Sequence, residues 1–486
     1  MSTTRHARHW IGGEFVTSGS QQDTISPATG EVIGSYEDGG GEEAQRAIDA
    51  AATAFKQTSW RWEPYLRATA LSRLAEAYEA RMGDVVETLC TENGKLRGEA
   101  GFEAHFIPRA LRFASGLAMH NFGRVTDTRL GQQTISLRQA VGVAGVITPW
   151  NSPAYLSIRS IAPALAAGCA VVVKFPKQAA QSAHLLSEIF ASVDDIPAGI
   201  VNVFVESGSE GAKLLVDSPK VPVVSYTGST AVGRVIAEGA AKNLKRVSLE
   251  LGGKTPHLVF ADADLNVVVP TIVASSSVFG GQFCMTGSRI LAHRDIAGEL
   301  VDRLSHALKA VEPGPADKET SQIGPLIDKA AVDRVDQIVE EAIAAGAEAI
   351  VRGGPIREGE LAKGAFYRPT LLRVPDTDRD IVQKETFGPV QTVQVFDTEE
   401  QAIDLANDTE YGLSACVWSR DVDTPMRVSR QLEAGLVSIN SWANLAIESE
   451  EGGFKASGQG RLGGLAAMED FVEYKQITQD YIPMPH

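Results

Sequence analysis

Hydrophobic residues recur at helical spacing over residues 41–81, with an interruption at Pro64. Proline lacks a backbone donor and clashes with the preceding turn, so this pattern predicts two helices separated by a break. Residues 129–145 instead alternate between polar and apolar side chains, and a β-branched run over 141–148 stops at Pro149. We predict that this stretch is strand and that it ends in a loop.

Helical and strand patterns then alternate along the chain. Helices are predicted at 155–167, 180–190 and 212–216, and strands at 170–174, 201–205 and 221–226. This alternation favours a parallel sheet, because a helix provides the long crossover that a parallel pair of strands requires. Ligands bind such sheets at the carboxyl ends of the strands, so a nucleotide site is expected there.

A second set of elements begins beyond Gly253. Strands are predicted at 256–260 and 288–293, and helices at 267–279 and 297–311. These elements indicate a second α/β domain. Residues 472–482 alternate weakly and predict an exposed strand that seeks a partner in another subunit.

Length and charge narrow the class of protein. The chain has 486 residues, more than the roughly 250–300 at which one core stops growing, so at least two domains are expected. A net charge of −16 argues against nucleic acid as a partner. The first ten residues lack the apolar centre of a signal peptide, and the best apolar run, 161–173, is shorter than the about 20 residues that cross a bilayer. We therefore expect a cytoplasmic protein with no membrane partner.

The chain has four cysteines, at positions 90, 169, 284 and 416, which are too few and too scattered for a disulfide framework. No Cys-x-x-Cys or His-x-x-x-His pair indicates a metal, and we expect none. Three of the cysteines are interpreted as small buried hydrophobes. The exception is Cys284, which stands among small residues in the segment 281–288. Its thiolate is suited to attack a carbonyl, but no histidine lies close in sequence to activate it as in a cysteine protease.

Two further segments carry candidate chemistry. The predicted strand 221–226 leads into Gly228, Ser229 and Gly233 at the start of a helix, where a backbone can approach a pyrophosphate. An ordinary helix start with a serine cap fits these residues equally well. Glu250 stands between two leucines before a pair of glycines, where a raised pKa would suit a general base. On these residues alone, a glutamate that reaches solvent from an edge strand is the more common case.

Together with 149–153 and Lys174, these segments resemble the aldehyde dehydrogenase superfamily from end to end. The family's glutamate motif is matched by 249–253, its cysteine motif by 281–289, its cofactor-ribose motif by 385–389 and its late glycine-rich motif by 452–458. Each motif is loose, but their order and spacing are specific as a set. By this resemblance the chain is identified as a member of the aldehyde dehydrogenase superfamily.

The resemblance implies an oxidoreductase that converts a small-molecule aldehyde to a carboxylic acid with NAD or NADP. The Cys284 thiolate would attack the aldehyde, and the Asn151 amide and the Cys284 backbone N–H would form the oxyanion hole. Hydride transfer would leave a thioester, which water hydrolyses once Glu250 removes a proton. The catalytic set is completed by Lys174. The implied cofactor-binding residues are Trp150, Lys174, Lys177, Gly228, Ser229, Gly233, Leu251, Glu385 and Phe387, with Lys174 and Glu385 at the two riboses and Ser229 at the pyrophosphate.

The resemblance also implies a three-part α/β fold. A Rossmann-type cofactor-binding domain would comprise 1–121 and 140–252, and an α/β catalytic domain would comprise 253–463. A small oligomerisation element would consist of a hairpin at 122–139 and the C-terminal segment 464–486. An exposed strand of this kind predicts a homodimer or a homotetramer.

Two positions depart from the usual family pattern. Phe279 stands where many members have Asn before the cysteine motif, which changes the tunnel wall but removes no group from the mechanism. Lys177 stands where members that prefer NAD commonly have Glu. A lysine there would attract the 2′-phosphate of NADP, so NADP acceptance is expected.

The substrate pocket is assigned to Tyr155, Arg159, Phe283 and Glu451. Arg159 occupies a position at which members that act on aldehydes with a distal carboxylate carry Arg, and its planar fork suits a carboxylate. A second arginine expected before the cysteine motif is replaced by Val278. A structural ion pair of Arg159 with Glu450 or Glu451 is therefore the main alternative.

Three other functions are alternatives to the oxidation of an aldehyde to a carboxylic acid. A cysteine-dependent esterase or hydrolase would form the same thioester without a redox step. A CoA-acylating aldehyde dehydrogenase would use CoA in place of water, but the retained Glu250 favours hydrolysis. A non-catalytic descendant of the family is disfavoured because Cys284, Glu250, Asn151 and Lys174 are all present.

Overall fold

Proline and glycine fix several boundaries of the fold, which we describe from a computed structural model for residues 5–120 and 122–482. The predicted break at Pro64 is confirmed, because this residue begins the second of two helices. Pro153 is the first residue of another helix, and Gly168 ends that helix in the left-handed conformation with φ 98°. Both are the positions at which proline and glycine are favoured.

The helices are α1 Gly41–Gln57, α2 Pro64–Ala80, α3 Met82–Glu92, α4 Arg97–Met119, α5 Pro153–Ala167, α6 Ala180–Ala191, α7 Glu210–Asp217, α8 Thr230–Ala241, α9 Leu265–Ser277, α10 Arg294–Lys309, α11 Lys329–Ala344, α12 Asp380–Gln383, α13 Glu399–Asn407 and α14 Asp423–Ser429. The strands are β1 Arg5–Ala7, β2 His9–Ile11, β3 Glu14–Val16, β4 Gln21–Ile25, β5 Val32–Glu37, β6 Arg124–Arg129, β7 Gln132–Ala140, β8 Val143–Ile147, β9 Ala170–Pro176, β10 Val201–Glu206, β11 Val223–Thr227, β12 Arg246–Glu250, β13 Pro256–Val259, β14 Arg289–His293, β15 Glu348–Val351, β16 Gly354–Pro355, β17 Tyr367–Arg368, β18 Thr370–Arg373, β19 Val390–Phe396, β20 Tyr411–Gly412, β21 Ser414–Trp418, β22 Leu436–Ile439, β23 Phe454–Lys455, β24 Gly458–Gln459 and β25 Val472–Asp480.

The first large sheet has the strand order β24-β12-β11-β8-β9-β10-β2-β3. Its five central strands, from β12 to β10, are parallel, as the alternating pattern predicts. From β8 the chain winds outward through β9 and β10, and it then returns to add β11 and β12 on the other side of β8. The order of strands therefore reverses between β8 and β11, and the loops that follow these two strands flank a crevice at the carboxyl edge.

The second large sheet has the order β15-β18-β19-β14-β13-β21-β22 and is parallel except for β15. It confirms the second α/β unit that the sequence predicts. Residues 251–255 connect β12 of the first sheet to β13 of the second. The short strand β24 returns to pair with β12, so residues 458–459 belong to the first sheet.

A three-stranded sheet of β6, β7 and β25 stands beside the first large sheet. β25 pairs antiparallel with β7 along its whole length, from Val472 opposite Ala140 to Asp480 opposite Gln132. Within the described residues, the other edge of β25 has no partner strand. Several large apolar side chains of this sheet are exposed: Val125, Leu130, Tyr474 and Ile477.

The prediction of a helix over 267–279 is wrong at its C-terminal end. α9 stops at Ser277, and a short 3-10 segment, Val278–Gly281, follows it. Phe279 and Gly280 have positive φ values of 53° and 64°, which turn the chain away from the helix axis. In the part of the chain that is described, no helix is long and apolar enough to cross a membrane.

Candidate active site

Asn151 and the cysteine loop meet where the two large sheets adjoin. Asn151 lies between β8 and α5, and its side-chain amide donates a 3.0 Å hydrogen bond to the carbonyl of Gln282. Cys284 follows two residues later in the same loop. A Cβ on Gly253 would lie 2.5 Å from the carbonyl oxygen of Cys284, so the segment after β12 approaches this loop more closely than other residues allow. The fold thus brings three sequence-predicted segments together.

The four cysteines differ in environment. Cys90, Cys169 and Cys416 are buried, whereas Cys284 is half-buried. Burial raises the pKa of the Cys284 thiol to about 12, and the charge of Arg159 partly opposes this effect. A thiol with such a pKa is protonated at neutral pH, so its ionisation requires a base or an additional nearby positive charge.

Glu250 is buried at the carboxyl end of β12, which lies between β11 and β24. The interpretation of Glu250 as a solvent-reaching edge-strand residue is therefore wrong. Burial raises the pKa of its carboxyl group to about 8, although Arg159 acts against the increase. Within the described residues, its Oε1 atom has no hydrogen-bond partner. A group of this kind is suited to take a proton near neutral pH.

The loop after β11 leads into the N-terminus of α8. The Ser229 side chain accepts a 3.4 Å hydrogen bond from the N–H of Val232, and Gly228 donates its N–H to the Glu250 carbonyl at 3.0 Å. A Cβ on Gly233 would lie 2.5 Å from the Leu251 side chain, so glycine lets α8 pack against the segment after β12. α8 begins directly after β11, at the carboxyl edge of the first sheet. A helix N-terminus at that edge favours a phosphate.

Two lysines follow the neighbouring strand β9. Lys174 is buried, burial lowers its pKa, and within the described residues its ammonium makes no hydrogen bond or ion pair. Lys177 is exposed in the short 3-10 turn Lys177–Ala179, and likewise makes no ion pair to another described residue. Both lysines are therefore available to a polar ligand at the carboxyl edge of the sheet.

Glu385 lies against the paired glycines that follow Glu250. Its Oε1 accepts a 3.2 Å hydrogen bond from the N–H of Gly253, and burial raises the pKa of its carboxyl group to about 7. Phe387 packs edge-to-face on Trp150 at 5.4 Å between ring centroids. A helix N-terminus, an unpaired buried lysine and a carboxylate that can accept from hydroxyl groups form a donor and acceptor set that fits a dinucleotide.

Arg159 is paired inside the candidate substrate pocket. Its Nη1 lies 2.6 Å from Oε1 of Glu451, and its Nη2 lies 3.4 Å from Thr227 Oγ1. Burial acts to lower the pKa of Arg159, but Glu451 and Glu250 outweigh it and raise the pKa. Glu450 points elsewhere, since its carboxylate accepts from the N–H groups of residues 465 and 466. Of the two glutamates left open by the sequence, Glu451 is the partner.

The predicted substrate-pocket residues Tyr155 and Phe283 lie in two separate groups of contacts. Tyr155 and Arg159 lie one turn apart on α5 and line one pocket with Glu451. Phe283 packs edge-to-face against Trp442 at 5.8 Å, and the Trp442 indole donates a 2.8 Å hydrogen bond to the carbonyl of Met285. Trp442 was not anticipated, because a lone tryptophan 158 positions from Cys284 carries no pattern.

A buried charged group beside the site was also missed. Lys95 and Glu103 form an ion pair with side chains that are each only 2% exposed, and Glu99 lies one turn from Glu103 on α4. The only signal in the sequence is a spacing of four residues, which would place Lys95, Glu99 and Glu103 on one face of a helix. In the structure Lys95 precedes α4, and only the two glutamates share a helix face. That spacing is equally typical of a solvated helix.

The chain is similar to known proteins of one family. A sequence model of the aldehyde dehydrogenase family matches residues 15–477. The chain is similar to 2-aminomuconic semialdehyde dehydrogenase of Danio rerio, with 36% identity over 97% of each chain, and to lactaldehyde dehydrogenase of Escherichia coli (strain K12), with 35% identity over 96% of this chain and 97% of that protein. A crystal structure of a betaine aldehyde dehydrogenase point mutant from Staphylococcus aureus, with NAD+ and a modified cysteine, matches with a TM-score of 0.96 and 33% identity over 99% of this chain and 97% of that chain. The α/β fold with a Rossmann-type part, predicted from the sequence, is confirmed.

Proposed function

The chain belongs to the aldehyde dehydrogenase family and oxidises an aldehyde to a carboxylic acid with a nicotinamide cofactor, and from this premise we propose the roles of its residues. Cys284 is the nucleophile, Asn151 stabilises the oxyanion, and Glu250 activates water. Lys174, Lys177, Ser229 and Glu385 bind the cofactor together with the adjoining Trp150, Gly228, Gly233, Leu251 and Phe387. The bound nicotinamide supplies the hydride acceptor.

One observation carries these assignments: the Asn151 side chain is bonded to the cysteine loop, and the buried carboxylate of Glu250 lies close enough for its charge to act on the Cys284 thiol. The Asn151 amide already points at the cysteine loop, 3.0 Å from the Gln282 carbonyl. It is therefore placed to donate to an oxyanion that forms when the thiolate attacks. Glu250 holds an unpartnered carboxylate oxygen that can take a proton from water and so promote hydrolysis of the thioester.

The test is the variant Cys284→Ala, assayed with and without nicotinamide. The variant should lose aldehyde oxidation and keep its affinity for the cofactor, because the thiol contributes covalent chemistry only. Wild-type protein should release the carboxylic acid only with nicotinamide present, and without CoA. Acid or ester turnover in the absence of nicotinamide would instead favour the hydrolase, and a strict need for CoA would favour the acylating enzyme.

The finer cofactor preference follows from Lys177. This lysine is exposed and unpaired by other described residues, three positions beyond the buried Lys174. A positive charge at the ribose end of the nucleotide attracts a 2′-phosphate. The chain therefore uses NADP at least comparably to NAD.

The preferred substrate is an aldehyde without a distal charge. Arg159 and Glu451 neutralise each other in the pocket wall, so an anionic aldehyde would have to displace Glu451. A second candidate is a semialdehyde with a carboxylate, since the relative from Danio rerio is named for 2-aminomuconic semialdehyde. The substrate series described in the Discussion separates the two.

The exposed edge of β25 bears on the oligomeric state. The open edge of β25 and the exposed Tyr474 and Ile477 favour a homodimer or a homotetramer, which light scattering after size-exclusion chromatography tests. We propose a cytoplasmic location for the enzyme. We propose the domain bounds 1–121 and 140–252 for the cofactor, 253–463 for catalysis and 122–139 with 464–486 for assembly, with β24 of the catalytic range paired into the first sheet. Residues 1–4, 121 and 483–486 of those ranges lie outside the described residues.

A further inference from the structure

We propose that Lys95, together with Glu99 and Glu103, positions Asn151 and the Cys284 loop relative to each other. The inference rests on the proposed roles of Asn151 and Cys284, and it adds residues from a third segment. Lys95 touches no reacting atom in this arrangement and is a positioning residue. Its contacts reach both of the segments that build the oxyanion hole.

The ammonium of Lys95 has three partners. It forms an ion pair with Glu103, and both side chains are 2% exposed. It also donates a 3.0 Å hydrogen bond to Ser152 Oγ and stands 3.5 Å from the centroid of the Phe279 ring. Ser152 is next to Asn151, and Phe279 begins the cysteine loop. One buried cation therefore bridges Ser152 and Phe279, which are 127 positions apart in sequence.

Glu103 fixes the segment that carries Asn151. Its Oε1 accepts 3.0 Å hydrogen bonds from the N–H groups of Ala154 and Tyr155, at the start of α5. These donors have no partner inside the helix, and an anion is favoured at a helix N-terminus. Ser152 occupies the N-cap position without capping the helix through its side chain, because its hydroxyl accepts from Lys95 instead. Glu103 therefore replaces the usual cap.

Glu99 and Lys95 fix the segment that carries Cys284. The N–H of Phe279 donates a 2.8 Å hydrogen bond to Glu99 Oε1. Phe279 has φ 53° and ψ 30°, a left-handed conformation that an aromatic residue adopts only when its surroundings enforce it. The carboxylate holds the Phe279 backbone, and the Lys95 cation holds its ring by a cation–π contact.

The contacts from Lys95 through Phe279, Gln282, Asn151 and Ser152 form a closed network. The Phe279 carbonyl accepts hydrogen bonds from the Gln282 backbone N–H at 3.1 Å and from its side chain at 2.9 Å. The Gln282 carbonyl in turn accepts from Asn151, and Asn151 adjoins Ser152, which accepts from Lys95. A neutral side chain at position 95 would fill the volume but would bind neither Glu103 nor the ring face.

The central test replaces Lys95 with Met. Misplacement of reacting groups by about 1 Å costs on the order of 100-fold in rate, so Lys95→Met should lower kcat by about 10- to 100-fold. The dissociation constant for NAD should stay within about twofold, because Lys95 makes no contact with the proposed cofactor residues. In cofactor-free protein, iodoacetamide should alkylate Cys284 several-fold faster, because the loop that buries the thiol loosens.

The matched control is Lys245→Met. Lys245 is a partly buried lysine that donates to the carbonyls of Leu215 and Ser218, away from the proposed site. This control should lower the melting temperature without changing kcat or the alkylation rate. If Lys95→Met behaves in the same way, the positioning role is overturned and Lys95 is structural only.

Phe279→Leu keeps the test informative if Lys95→Met does not fold. Leucine preserves apolar volume but offers no ring face to the cation, so kcat should fall and alkylation should accelerate. In the double variant, loss of Lys95 and of the ring should be less than additive, because one contact is removed twice. Unchanged kcat and alkylation in Phe279→Leu overturn the inference. An active Cys284→Ala variant would instead contradict the proposed nucleophile.

Discussion

The guanidinium of Arg159 lies 2.6 Å from the carboxylate of Glu451, and the two side chains are 8% and 9% exposed. The partners are 292 positions apart in sequence, yet they line the same pocket as Tyr155. Burial of each charge is tolerated because the other is present, and removal of one partner leaves an uncompensated charge in the pocket wall. If this pocket binds the substrate, as proposed, the pair sets the charge that the substrate meets.

Glu451→Gln should change the preference for substrate charge. The substitution keeps the side-chain shape and leaves Arg159 as an unpaired cation, which a carboxylate can bind with two parallel hydrogen bonds. We expect the ratio of kcat/KM for succinate semialdehyde to that for butanal to rise by about tenfold or more, equivalent to about 1.4 kcal/mol. Steady-state reduction of the cofactor measures both constants.

Arg159→Ala provides the comparison for this ratio. If the enzyme prefers uncharged aldehydes, Arg159→Ala should not lower kcat/KM for succinate semialdehyde more than kcat/KM for butanal. If wild-type protein prefers succinate semialdehyde and Arg159→Ala abolishes that preference, the second candidate substrate class is correct. The substrate carboxylate then replaces Glu451 as the partner of Arg159.

Glu250→Gln should stall the enzyme after hydride transfer. Glutamine cannot accept the proton from water, so a rapid burst of about one reduced cofactor per active site should precede slow turnover. Because burial raises the pKa of Glu250 to about 8, wild-type kcat should rise with pH towards that value as the carboxylate form accumulates. Stopped-flow absorbance gives the burst, and an unchanged steady rate without a burst would place the base elsewhere.

The same pKa predicts how Glu250 affects stability. Its folded pKa of about 8 lies above the ordinary value of 4.5. Below the ordinary value both states are protonated, and as pH rises towards 8 only the unfolded state ionises, so the stability contributed by the group is progressively lost. The melting temperature of Glu250→Gln minus that of wild type should therefore increase between pH 5 and pH 8.

An exposed glutamate supplies the control for the stability measurement. Glu358 lies in a loop and makes no hydrogen bond to another described residue. Glu358→Gln should show a difference in melting temperature that stays flat over the same pH range. A flat difference for Glu250→Gln as well would mean that Glu250 titrates as an ordinary carboxyl group in the folded protein.

Local signals made much of the fold predictable. Pro64 acts through the conformation of its own backbone and begins a helix where the break was predicted. The helix predicted to end at residue 167 does end there, before Gly168 in the left-handed conformation. The alternation of helices and strands after residue 149 likewise follows from periodicity along the chain. The end of α9 was not predictable in this way, because the left-handed turn at Phe279 contacts Glu99 of α4 and Lys95 of the segment before α4.

The residues of the candidate site were also predictable only where a local sequence pattern carries them. Motifs made Cys284 and Glu250 candidates, since each stands in a short segment with a characteristic neighbourhood. The choice between Glu450 and Glu451 as the partner of Arg159 could not be made, because adjacent residues differ only in the direction of their side chains. Glu450 is directed to backbone N–H groups at 465 and 466, and this direction depends on a turn distant in sequence from Arg159.

Lys177→Glu should move the cofactor preference from NADP towards NAD. Lys177 is exposed beside the carboxyl end of β9, where a carboxylate would accept hydrogen bonds from ribose hydroxyls and repel a 2′-phosphate. Exchange of attraction for repulsion at a partly screened site is worth on the order of 1–3 kcal/mol, so the ratio of kcat/KM values for NADP and NAD should fall by about 10- to 100-fold. Lys309→Glu, a charge reversal at the exposed end of α10, should leave the ratio unchanged. Wild-type protein without measurable turnover on NADP would show that Lys177 is a solvated surface lysine with no part in cofactor recognition.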